Sequence, residues 1–260
     1  MNEYQTIIYN KIEQLGIIQL NRPDKRNALN DHMVKELTQL LLQIKEDAEV
    51  KAIILKGNGK VFCAGADLQY IQQLQKNTYE ENLADSNQLK ELFYLIYTFP
   101  KIIISQIHGA AIAGGCGLAT LCDFAFASDS TKFSYSEVKI GFIPAIVSIF
   151  LTRKIGEGKA LQLLLSGQII KAKQALDYGL INGITEEELL EEEVLSFAKK
   201  LIKETSVEAK ANTKNLVHST WHLPIDEALD KAVEANAKAR SSEDCKKGIA
   251  SFLNKEKIEW

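Results

Sequence analysis

The chain has 260 residues, with 31 Lys and Arg against 34 Asp and Glu and a formal charge of −3. Hydrophobic residues make up 46% and charged residues 25%, proportions of an ordinary globular domain that argue against a disordered, fibrous or membrane-embedded chain. The balanced charge lacks the basic stripe of a nucleic-acid binder, and the length fits one large core with a helical appendage.

Residues 4–11 and 17–20 are rich in Ile and Tyr and flank a turn-like 13–16, which predicts a strand pair. A helix follows, because Asn30 or Asp31 supplies an acceptor for its free amides and Met33, Leu37, Leu40, Leu41 and Ile44 recur at helical spacing. Residues 52–55 read as a buried strand ended by Gly57 and Gly59, and Leu68 opens one polar helical stretch running to residue 97 before Pro100. The β-branched run 102–107 predicts another strand, then a Gly/Ala-rich turn, a short helix around Leu118 and a strand at 123–127. From Glu186 onward the composition shifts to Glu, Lys, Ala and Leu, predicting helices at 186–204, 206–220, 225–240 and 243–254. Ala228, Val233 and Ala235 leave narrow faces suited to packing on another helix or another subunit.

Cys63, Cys116, Cys122 and Cys245 form no CxxC pair, zinc ribbon or disulfide framework, so free thiols in a reducing compartment are expected. The first residues are acidic and polar where a signal peptide needs an apolar core. The longest apolar run, 140–151, is too short for a bilayer and contains Pro144 and Ser148. A soluble cytoplasmic protein with no membrane partner is the expectation.

Nucleotide readings of the glycine clusters fail. RKIGEGKA lacks a glycine at Arg153 and a hydroxyl at Ala160, and Gly114, Gly115 and Gly117 miss the dinucleotide spacing because Thr120 occupies its last place. His218 and His222 share a helix face without the glutamate of a zinc hydrolase helix, and no serine-nucleophile elbow exists, so no metal site is expected. Two bends remain, at 62–68 and 109–118, each after a strand-like run. Small side chains there leave unpaired amides pointing outward, and two such bends can polarise one carbonyl oxygen. Tight helix-to-strand packing explains the same glycines, and composition leaves both readings open.

These bends, with RPDKRNALN at 22–30, CDFAFAS at 122–128 and FSYSEVKIGFIP at 133–144, resemble the enoyl-CoA hydratase/isomerase, or crotonase, family, with motifs in order across nearly the whole chain. The resemblance implies an α/β fold, a spiral of repeated ββα units over residues 1–200. It also implies a C-terminal helical module at 201–260 that trimerises, giving a homotrimer or a homohexamer built as a dimer of trimers. By motif position it implies that the amides of Ala66 and Gly114 form an oxyanion hole for a thioester carbonyl. Ala28, Ala64, Asp67, Leu68, Gly115, Gly117 and Pro144 then line the substrate, the bend at 64–68 holding the adenine. Lys25 and Arg26 would lie near the coenzyme A phosphates, and Lys255 would reach coenzyme A from an adjacent subunit. Coenzyme A enters as part of the substrate, with no separate cofactor.

The hydratases of this family use two glutamates. Glu137 matches the second, whereas the first falls at Gly117, which carries no acid. Phe133, Val138, Ile140 and Phe142 around Glu137 are expected to raise its pKa. Where the family has a glycine-rich stretch after the proline, residues 145–148 read Ala-Ile-Val-Ser, narrowing the acyl pocket. The pattern is similar to methylglutaconyl-CoA hydratase-like members of leucine degradation and to related decarboxylases. The expected activity is hydration of a branched or carboxylated enoyl-CoA. Alternatives are a single-glutamate isomerase or decarboxylase and a non-catalytic acyl-CoA binding subunit. Substitution of Gly117 by Glu is expected to raise simple hydratase activity.

Overall fold

The computed structural model describes residues 4–260. The predicted hairpin is β1 (Ile7–Ile12) and β2 (Leu15–Leu20), followed by α1 (Asp31–Glu46), whose first turn is capped by Asn30 accepting from the Met33 amide at 3.0 Å. β3 (Ala52–Gly57) takes Gly57 inside the strand. The single helix expected from Leu68 is two helices, α2 (Leu68–Leu74) and α3 (Tyr79–Thr98). The break has a local cause: Thr78 and Glu81 form a reciprocal capping box that starts α3.

Next come β4 (Ile102–Ile107), β5 (Ala110–Ile112), α4 (Gly114–Leu121), β6 (Phe124–Ser128) and β7 (Lys132–Ser134). They are followed by α5 (Ala145–Ile155), α6 (Glu157–Ser166), β8 (Ile170–Lys171), α7 (Ala172–Asp177) and β9 (Gly183–Thr185). Asp123 precedes β6 rather than starting it, because its carboxylate accepts from the Ile103 amide at 2.8 Å and from Lys214. The large sheet runs β1-β2-β3-β4-β6-β9, parallel apart from the β1–β2 hairpin. A small sheet, β5-β7-β8, lies apart from it. The outcome is the α/β spiral of strand-strand-helix units that the sequence implies.

A parallel sheet must be covered on both faces, and strand alternation divides the work. Ile18, Leu20, Ile53, Leu55 and Ile103 point into the main core with Met33, Leu37 and Leu41 of α1. Their neighbours Leu15, Ile17, Ala52, Ile54, Ile102 and Ile104 point the other way, onto Leu190, Val194, Ala198 and Ile202 of α8 (Leu190–Glu204). Each of these large side chains contributes about 1.5–3 kcal/mol when fully buried. Residue 200, where the sequence suggested one module ends, therefore lies within a helix that closes the sheet.

Beyond it stand α9 (Val207–Thr220), α10 (Ile225–Ser241) and α11 (Glu243–Asn254), within one residue of their predicted bounds. α10 buries none of its residues, and Leu229 and Val233 on it, with Phe252 and Leu253 on α11, are exposed.

Gln5 and Thr6, ahead of β1, are held by Glu36 on α1, whose buried carboxylate accepts from the amides of Gln5 at 2.7 Å and Thr6 at 2.8 Å and from the Thr6 hydroxyl. Burial by itself raises the pKa of this group, but the Thr6 and Gln5 hydrogen bonds outweigh it and hold Glu36 below the usual carboxylate value. A depressed folded pKa gives stability that is present above the unfolded value and lost as pH falls through the folded one. Glu36→Gln is expected to cost about 1–3 kcal/mol at neutral pH. The loss should vanish below the carboxylate range, as thermal denaturation from pH 7 to pH 3 would read.

Candidate active site

The two glycine-containing bends meet. Gly65 has φ +96°, and a Cβ there would sit 3.0 Å from the Ile112 carbonyl and 3.1 Å from the Ala113 Cβ, so only glycine fits. A Cβ at Gly115 would fall 2.6 Å from the Cys63 carbonyl oxygen. The bends pack backbone to backbone.

Their outward amides follow from the pairing. Leu29 and Ala66 form a parallel bridge in which Leu29 N–H donates to Gly65 O at 2.7 Å and Asp67 N–H donates to Leu29 O at 2.8 Å. Both bonds use the groups on either side of Ala66, so its own N–H faces away, and among the described residues it has no acceptor. Ala66 is exposed. The second donor begins α4, where the first amides have no intrahelical partner. Ala113 just before it holds φ +51° and ψ −127°, a backbone conformation that costs an L residue on the order of 1–3 kcal/mol. Its own amide is tied to Ser134 O at 2.7 Å. This strained, anchored residue turns the chain so that Gly114 presents its N–H, which has no acceptor among the described residues.

Glu137 opens a 3-10 turn at Glu137–Ile140, just after β7. Its side chain is buried, and Oε2 has no hydrogen-bond partner among the described residues. Burial raises its pKa, the expected direction. The expected surroundings are only partly right. Phe133 is fully buried, but Ile140 and Phe142 are 65% and 62% exposed, because the chain after the turn swings outward.

One register unites these groups. Cys63 pairs with Ala111 in a parallel bridge, and Ala111 pairs with Phe133 in parallel β5 and β7. Three extended segments thus run side by side in one direction, and Ala66, Gly114 and Glu137 follow the paired residues by three, three and four positions. Two free amides and one acid with an unpartnered oxygen leave the same carboxyl edge, where parallel sheets place ligands.

The family model described as enoyl-CoA hydratase/isomerase matches residues 10–260. The chain belongs to the enoyl-CoA hydratase/isomerase family. It is similar to a short-chain-enoyl-CoA hydratase of Clostridium acetobutylicum, 34% identical over 99% of this chain and 98% of that protein. A crotonyl-CoA hydratase of Syntrophomonas wolfei is 32% identical over the same shares. Among solved structures, an enoyl-CoA hydratase from Shewanella pealeana superposes with TM-score 0.94 at 32% identity, covering 99% of this chain and 97% of that one.

The remaining residues expected from the enoyl-CoA hydratase/isomerase resemblance fall into three groups. Lys25, Arg26 and Ala28 lie on the loop before α1, which is joined to the first bend by Ala64 N–H donating to Arg26 O at 3.0 Å. Lys25 donates to Gln69 at 3.2 Å, Leu68 is 75% exposed at the start of α2, and the Asp67 carboxylate caps α2 at the Gln69 amide, 2.9 Å away. Pro144 is the residue before α5. Lys255 caps α11 in a left-handed conformation, its amide donating to the carbonyls of Phe252 and Ser251.

Gly117 stands where the motif resemblance implies the family's first glutamate. A Cβ built there would be 2.3 Å from Cγ1 of Val147 and 3.1 Å from Cε1 of Phe93. α5 leans on α4 at this glycine, and the volume that a side chain at 117 would need is already filled. The rest of α4 is fixed by Ser105 donating to Ala119 O at 2.7 Å and by Lys154 donating to Cys122 O at 3.2 Å. Arg22, which donates to both the Ala28 carbonyl and Asp67, has no role in the sequence reading, and Val147, expected there only to narrow the acyl pocket, packs on Gly117.

Proposed function

We propose that this chain hydrates an enoyl-CoA thioester, with a branched or carboxylated acyl group such as 3-methylglutaconyl-CoA as its substrate. The observation that carries the reading is the shared edge. The amides of Ala66 and Gly114 and the Glu137 carboxyl, whose Oε2 has no partner among the described residues, leave it together from segments held in register. The two N–H groups donate to the thioester oxygen and stabilise the enolate that forms, an effect of a few kcal/mol per donor in a dry site. Glu137, as a carboxylate, takes a proton from the water whose oxygen bonds to the β-carbon and delivers it to the α-carbon. One acid serving both carbons works from one face, so addition is syn.

Coenzyme A belongs to the substrate, and no separate cofactor enters the reaction. Lys25 and Arg26 would meet its phosphates, with Ala64, Asp67 and Leu68 toward the adenine; the exposure of both cations beside the first bend supports this. The names of the similar hydratases support the reaction, and the Ala-Ile-Val-Ser run at 145–148 supports the branched acyl class. A second reading, a single-glutamate isomerase or decarboxylase, is favoured by Gly117, since neither reaction needs a second acid. Retention of a buried Glu137 disfavours a non-catalytic binding subunit.

The chain would work as a homotrimer or homohexamer, with residues 201–260 as the assembling module. Its exposed Leu229, Val233, Phe252 and Leu253 support this. A cytoplasmic location accords with free Cys63, Cys116 and Cys122, whose thiols burial pushes up to about 12. Among the described residues no helix is long and apolar enough to cross a membrane.

Incubation with crotonyl-CoA, 3-methylglutaconyl-CoA and a 3-enoyl-CoA, followed by mass and retention, separates the outcomes. The proposal expects a gain of one water with 3-methylglutaconyl-CoA. Loss of carbon dioxide or a shifted double bond alone would replace it with the second reading, and no turnover of any thioester would defeat both.

A further inference from the structure

The Ala66 amide lies two residues before α2, outside the helix, so it is held by the loop's own contacts. Arg22 is set to do this. One guanidinium nitrogen, Nη1, donates to Ala28 O at 2.5 Å, and the other, Nη2, donates to Asp67 Oδ2 at 2.7 Å. Ala28 directly precedes Leu29 and Asp67 directly follows Ala66, and Leu29 and Ala66 are the bridged pair that turns the Ala66 N–H outward. A single planar fork therefore spans both strands of the bridge. Its side chain is 16% exposed and that of Asp67 is 9% exposed, so the pair is shielded from competing water.

The base of the fork is fixed as well. The Arg22 amide donates to Asn27 Oδ1 at 2.9 Å, and Asn27 Nδ2 donates to the carbonyls of Asn58 at 2.8 Å and Val61 at 2.9 Å. Asn27 is fully buried in a left-handed conformation, φ +54°. Asp67 in turn uses its other oxygen, Oδ1, on the Gln69 amide at 2.9 Å, so the same carboxylate joins the clamp to the start of α2.

We propose that Arg22 is a positioning residue for the Ala66 donor, acting through Ala28 and Asp67 without touching the substrate. The inference rests on the oxyanion-hole reading of Ala66 and Gly114. Lysine retains the charge but has no planar two-nitrogen fork, so it cannot hold both partners in this geometry. A displacement of the donor on the order of 1 Å is enough to cost up to about 100-fold in rate.

The test uses the whole protein and a conjugated arylacryloyl-CoA, whose absorption moves to longer wavelength when its thioester carbonyl is polarised. Wild type is expected to red-shift the bound probe. Arg22→Lys should shrink that shift and lower kcat about 10- to 100-fold, with KM changed less than about threefold. Asp67→Asn, which leaves one acceptor where two are needed, should shrink the shift in the same sense. If Arg22→Lys folds poorly, Asp67→Asn alone decides between the outcomes. A full wild-type shift in both folded variants, with only the melting temperature lowered, would overturn the inference and leave the active-site reading intact. A wild-type protein that binds the probe with no shift would overturn the oxyanion-hole reading and the role of Arg22 together.

Discussion

Glu137→Gln is expected to lower the turnover of any enoyl-CoA that the wild type hydrates by about 10²–10⁴-fold, with little change in KM. The amide keeps the shape and loses the ability to take a proton from water, while the donors of Ala66 and Gly114 stay in place. The same substitution should stabilise the fold at neutral pH. Glu137 is buried with one oxygen unpartnered, and burial raises its pKa above the ordinary 4.5. A raised folded pKa means that the neutral form suits the fold. Its contribution is present at low pH and is lost as pH rises through the folded value. At pH 8 the wild type therefore carries a disfavoured carboxylate that Gln lacks, and the variant should melt higher; at pH 4 the difference should close. The hydration rate should fall as pH drops through the same group, on a limb centred above 4.5. Opposite signs in activity and stability at pH 8 mark a functional acid. A variant that loses activity and stability together would place Glu137 in a structural role.

The parts of the fold visible in the sequence are those governed by short-range rules. The apolar run of β4, the Asn30 cap of α1 and the four C-terminal helices each carry their signal within a few residues. β5, β7 and β8 are two or three residues long and exist through pairing with one another, so no local periodicity announces them. Yet β5 and β7 are the strands that bring Gly114 and Glu137 to one edge. The α2–α3 break was readable, since Thr78 and Glu81 have capping-box spacing, but a polar stretch with no proline hides it.

For the site, the two bends are legible as glycine-containing turns after strand-like runs, whereas the roles of Ala66, Gly114 and Glu137 come from motif resemblance, which identifies positions without explaining their geometry. The explanation lies in contacts between distant residues. Arg22 meets Asp67 across 45 positions, and Val147 meets Gly117 from a different helix. An arginine in a polar loop and a valine in an apolar run look ordinary until the chain is folded.

Gly117→Ala is expected to destabilise the protein, against the usual preference of helices. Within α4 alanine should gain about 1 kcal/mol over glycine. The added Cβ would stand 2.3 Å from Val147 Cγ1, and Val147 is itself buried, so α5 must shift or the valine must leave its rotamer. Overpacking of this kind costs about 1–3 kcal/mol, and a contact as close as 2.3 Å belongs at the upper end of that range, so the steric loss should exceed the helical gain. A melting temperature lower by several degrees is expected, roughly 2–4 °C per kcal/mol for a chain of this size. Adding Val147→Ala removes Cγ1 and should restore most of the loss, whereas Val147→Ala alone should cost stability through the cavity it leaves. The contact also changes what Gly117→Glu should do. The sequence alone suggests that a second acid would raise hydration, but its side chain must pass through Val147 and Phe93. By itself it should lower both stability and activity. A gain requires Val147→Gly in the same chain. A Gly117→Ala protein that melts no lower than wild type would show that α5 does not rest on α4 here, and Gly117→Glu would again be free to add its carboxylate.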